Sequence, residues 1–175
     1  MLNNKFILYF SVVVLTLLSF SVISKERNVV VKLTHIEAVK TTERSGDELY
    51  FSISQYSNKE TPHLFRIPMY PLHWLSKELP ALKNVKLWEG KIADNQSILL
   101  VVSLLGLDLE PFNGDDHIGS VQVKLANKQG KVISKWGQPK FVDQPEVQQP
   151  NLKIPSYIML GDGGKYKVVF KVEVR

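Results

Sequence analysis

The stretch "SILLVVSLLGLDLEPFNGDDHIGSVQVKL" (Ser97–Leu125) places an acidic, turn-rich centre between two apolar runs. The first run, Ser97 to Leu105, is almost continuously apolar, as a strand in a sandwich core must be. The second alternates through Ile118, Val121, Val123 and Leu125, with Gly119 at a bend or bulge. Asp108, Glu110, Asp115 and Asp116 lie between them. On an extended segment Asp108 and Glu110 point to the same side, and "PFNG" can fold Asp116 back toward them. Carboxylates facing one another repel unless a cation neutralises them. Hard cations such as calcium take oxygen ligands gathered from loops of this kind. The plainer alternative is a solvated turn, since Asn, Gly and Asp are turn formers.

Working outward, the same strand period recurs. "NVVVKLTHIEAV" (Asn28–Val39) opens as a β-branched run. "ELYFSISQY" (Glu48–Tyr56) sets Leu49, Phe51 and Ile53 on one face. "VKLWEGKI" (Val85–Ile92), "KVISKW" and "KYKVVFKVEV" add further strands, with "NKQG" and "GDGG" as turns. Strands separated by turn signals predict an all-β, antiparallel sandwich of about eight strands. Two proline-rich segments interrupt it. The first, an insertion around 57–84, contains "LHWLSKEL" between Pro71 and Pro80, which reads as one short helix. The second, Gln138 to Pro155, carries four prolines and cannot be a central strand. It is expected to be a surface excursion.

Residues 1–24 stand apart. Lys5 is followed by an uncharged apolar run, Phe6 to Ile23, and then by Ser24 and "KER". This is the form of a secretory signal cut after Ser24. The alternative is an uncleaved N-terminal anchor, because the run just reaches bilayer-spanning length. Either way residues 25–175 are expected outside the cytoplasm, periplasmic or secreted. With no cysteine in the chain, a lipid-anchored lipoprotein is excluded. Residues 1–24 carry only Lys5 among charged residues, so their loss lowers the net charge from +5 to +4. That modest, dispersed charge argues against nucleic acid as a partner. About 150 residues suffice for one core without disulfides.

The loop "DLEPFNGDDHIG" and the segment "GDELYFSIS" together resemble C2 domains, the calcium-dependent membrane-targeting β-sandwiches. In that family one loop carries Asp-x-Asp, five residues, then Asp, with a Gly shortly after. Asp108, Glu110 and Asp116 fall on those positions, Glu110 replacing an Asp, and Gly119 follows. The family's other calcium loop ends in Asp at the start of a strand. Asp47 falls there, with Glu48 in place of the usual Pro. An earlier acid of that loop falls on Thr41, so one ligand is missing unless Glu43 or Glu48 replaces it. "KLWEGKI" also looks like the strand preceding the apolar "SILLVVSLL" in such domains. The resemblance covers Val29 to Leu125 and, more loosely, the final strand.

The resemblance implies calcium held by Asp47, Asp108, Glu110 and Asp116, and a phospholipid surface met by Phe112 near the loop tip. Leu107 and Leu109 are expected to cover the end of the sandwich. The alternative is a calcium-independent protein-interaction module of an envelope or secreted assembly. A third class is a hydrolase using a metal-activated water at the same carboxylates. No nucleophile elbow, phosphate loop or paired metal-binding histidines support an enzyme, and none is expected. His117 reads as a solvated loop residue, and Trp74, Trp88 and Trp136 as packing residues.

Overall fold

The computed structural model describes residues 25–57, 61–108, 114–140, 145–151 and 154–175. Residues 1–24, Leu109, Glu110 and Phe112 lie outside them, and with them the expected leader, one expected ligand and the expected membrane contact. Eleven strands are present among the described residues. In chain order they are β1 (Arg27–Lys40), β2 (Glu48–Ser57), β3 (His63–Ile67), β4 (Trp74–Leu75), β5 (Val85–Ile92), β6 (Ser97–Gly106), β7 (Asp116–Lys128), β8 (Lys131–Gly137), β9 (Glu146–Asn151), β10 (Ser156–Gly161) and β11 (Gly164–Val174).

They form two antiparallel sheets, ordered β5-β1-β11-β10-β9 and β3-β2-β6-β7-β8, with β4 paired to the start of β2. The all-β sandwich expected from the sequence is therefore present. Its architecture is compatible with a C2-like fold.

The pairing follows from which side chains leave water. On β2, Leu49, Phe51 and Ile53 are fully buried, and β6 answers with Leu100, Val102 and Leu104. From the facing sheet come Val29, Val31 and Leu33 of β1 and Tyr166, Val168 and Phe170 of β11. A bulge between Leu33 and His35 shifts the phase of β1, so that Ile36 returns to the core. Each such side chain contributes about 1.5–3 kcal/mol relative to exposure. Phe170 joins the layers. Its ring lies 6.2 Å from Phe51 and stacks on Trp136 at 5.3 Å. Trp74 and Trp136 pack against this core, and the indole of Trp88 donates to Gln55 Oε1 at 2.7 Å. All three tryptophans are thus packing residues, as expected.

The proline-rich segments supply most of the strands beyond the expected eight or so. β3 and β4 both arise within 57–84 and pair along β2. The octet "LHWLSKEL" is not one helix. Trp74–Leu75 pairs with Glu48–Leu49, and only then does a 3-10 helix run from Ser76 to Ala81, with Pro80 inside it. Leu79 of that helix is fully buried. β9, with Pro150, lies at a sheet edge, where a missing N–H costs no ladder bond. β10, which begins directly after that segment, was hidden by its shortness and by Pro155 before it.

One end of the sandwich gathers the β1–β2 loop, the β6–β7 loop, the segment after β3 and the β10–β11 hairpin. The start of β1 and the end of β11 lie at the other end, where Arg27 pairs with Ile92 and Val29 with Val174.

Candidate functional site

Asp47 closes the β1–β2 loop and is 3 % exposed. A carboxylate so placed must find donors. The amides of Thr42 and Glu43 donate to it at 3.0 and 2.9 Å, and the Thr42 hydroxyl at 2.8 Å. The fully buried Tyr166 donates its hydroxyl to the second oxygen. The Asp47 backbone exchanges two further bonds with Ser76 of the 3-10 helix. Burial pushes the Asp47 pKa up, but the bonds from Tyr166, Thr42 and Glu43 outweigh it and leave it lowered. Thr41 offers no acid and ties its hydroxyl to the Glu43 carbonyl at 2.8 Å.

Across from Asp47, the Leu107 amide continues the β2–β6 ladder by donating to the Glu48 carbonyl at 2.7 Å. The Asp108 amide then donates to Asp115 at 3.2 Å, and the Tyr50 hydroxyl donates to the other Asp115 oxygen. Asp116 begins β7. Its pKa is raised, first by burial and then by Asp108, Asp162 and Asp47, with Asp108 also hydrogen-bonded to it. The three neighbours act with one sign because all are carboxylates. A cavity of about 330 Å³ opens here, and Glu43, Asp47, Glu48, Asp108 and Asp116 line it.

The fold therefore brings Asp47, Asp108 and Asp116 to one cavity, with Glu43 and Glu48 beside them. It also adds Asp162, at the tip of the β10–β11 hairpin with φ +48°. Sequence reading saw "GDGG" only as a turn. No signal in the sequence marked it, because β10, one of the two strands this turn joins, is not legible there. Oxygen donors suit calcium, yet among the described residues no three carboxylates or imidazoles converge closely enough to share one ion as they stand. His117 is not a solvated loop side chain. Its Nε2 lies 2.7 Å from Ser120 Oγ, which lies 2.6 Å from Ser103 Oγ, and burial holds its pKa down despite Asp162.

Beside the acidic cavity stands an apolar projection that sequence reading missed. Met69, Tyr70 and Leu72 are 76, 77 and 64 % exposed. Arg66 holds the segment by donating to the carbonyls of Pro68 at 3.3 Å and Leu72 at 2.9 Å. Its guanidinium lies 3.7 Å from the Tyr50 ring centre and 5.7 Å from that of Tyr70. Compared with protein-family models, with curated proteins and with solved structures, the chain matches none.

Proposed function

We propose that this chain is an exported, C2-like binding module that takes up calcium at the acidic end of its sandwich. The observation that carries this is the cavity lined by Glu43, Asp47, Glu48, Asp108 and Asp116, where burial and the neighbouring Asp108, Asp162 and Asp47 push the Asp116 pKa up. A divalent cation would remove that repulsion with its own positive charge. Asp108, Glu110 and Asp116 are its ligands from one loop, Asp47 from the other, and Asp162 is a further candidate. Met69, Tyr70 and Leu72 give the module a contact for a lipid interface, the role that the C2 resemblance assigns to Phe112. Large apolar side chains exposed together commonly mark such contacts. No step in this reading is catalytic.

Titration calorimetry and thermal unfolding with calcium test it. Calcium at a hundredfold its Kd should stabilise the fold by about 2.7 kcal/mol, and Asp108→Asn should remove that gain. No heat and no shift at millimolar calcium would discard the calcium reading.

A second reading is favoured by Asp47, whose two oxygens already accept bonds from Thr42, Glu43 and Tyr166. The module would then bind a protein partner through the same apolar projection without calcium. Vesicle sedimentation with and without calcium separates the two.

A further inference from the structure

Asp115 has no place in the ligand spacing, although it closes the acidic loop directly before β7. It has a different set of partners. One carboxylate oxygen accepts the Asp108 amide and the other accepts the Tyr50 hydroxyl. Tyr50 is on β2, and its ring carries the Arg66 guanidinium at 3.7 Å. Arg66 in turn holds the Pro68 and Leu72 carbonyls, the two ends of the exposed apolar segment. An unbroken run of contacts thus leads from the backbone of Asp108, in the acidic loop, to the backbone of Leu72.

We propose that Asp115, Tyr50 and Arg66 are positioning residues that couple the acidic loop to the apolar projection, so that a change at one resets the other. This deepens the calcium reading and rests on it only for the identity of the signal. The chemistry suits the role. The Tyr50 pKa is pushed up to about 12 by burial and by Asp115, so the hydroxyl stays a donor at neutral pH. The planar guanidinium stacks on the ring while its N–H groups stay free to reach the two carbonyls. A cation replacing the hydrogen bond between Asp108 and Asp116 would displace Asp115, and that displacement reaches Leu72 through the Tyr50 ring and an Arg66 guanidinium held by that ring and by both carbonyls.

The test follows the backbone amide resonances of Met69, Tyr70 and Leu72 in the purified protein. Asp115 is exposed and Tyr50→Phe keeps the ring, so both variants should fold. Without calcium, Asp115→Ala should shift all three resonances in the direction given by Tyr50→Phe, and Lys124→Ala on the far half of β7 should not. Unmoved resonances in Asp115→Ala overturn the coupling, whatever calcium does. In a second arm, calcium alone is added. The three resonances should follow those of Gly106 and Gly114 in the native protein and stop following them in Tyr50→Phe. A response at Gly106 and Gly114 with none at Met69–Leu72 also overturns the coupling. No response anywhere removes the calcium reading and leaves the coupling to be decided by Asp115→Ala.

Discussion

Asp47 and Asp116 line one cavity, yet their pKa values move in opposite directions. Asp47 is ionised more readily folded than unfolded. Its contribution to stability is present above the ordinary value of 3.8 and is lost as pH falls through its lower folded value. Asp116 holds its proton more tightly when folded. Its contribution is present below 3.8 and is lost as pH rises through the raised value. Two opposite outcomes are expected from removing one charge at a time. Asp47→Asn should destabilise the protein by about 1–3 kcal/mol in urea unfolding at neutral pH, because one of the two acceptor oxygens becomes an NH2 group facing buried donors. That deficit should shrink in acid. Asp116→Asn should raise stability at neutral pH in the absence of calcium, the gain vanishing as pH falls below the carboxylate range. Since a ligand must lose its proton to bind a metal, calcium affinity should also fall as pH falls.

Strands and hairpins explain how these residues meet. Gly161 shows how tightly. A Cβ there would lie 2.3 Å from the His117 carbonyl oxygen and 2.7 Å from that of Ile118, and backbone cannot step aside as a side chain can. Gly161→Ala should therefore cost about 1–3 kcal/mol, an overpacking penalty. It should also push the β10–β11 hairpin off β7, carry Asp162 away from Asp116, and bring the Asp116 titration, followed by NMR, back toward normal. Elements of this kind were unevenly legible. β2 and β6 could be read directly, because each alternates or runs apolar over its whole length and its side chains go where that period sends them. β3, β4, β9 and β10 could not, since proline and short length mask the period while sheet edges tolerate both. Asp47 and Asp116 were found through the C2 resemblance, at the loop positions where that family carries its acids. Asp162 and the Arg66–Tyr50 stack were not, because the first depends on the β10–β11 hairpin lying against the distant β7, and the second on β3, a strand hidden in the proline-rich segment beside β2.

At the scale of the molecule, the acidic cavity and the exposed Met69, Tyr70 and Leu72 share one end of the sandwich. Replacing those three by serine should abolish vesicle sedimentation while changing stability by no more than about 0.5 kcal/mol, as surface changes usually do. Retained sedimentation would place the contact elsewhere. The chain enters the sandwich at the opposite end, beside Ile92 and Val174. β1 then runs for 14 residues before reaching the acidic loops, a distance of about 45 Å at strand rise. Whatever precedes Lys25 is thus attached at the far pole. Tethered there, whether to a resin, a fusion partner or a bilayer, the protein would hold its acidic face outward like the head of a short mast, within reach of a second surface and turned away from the first.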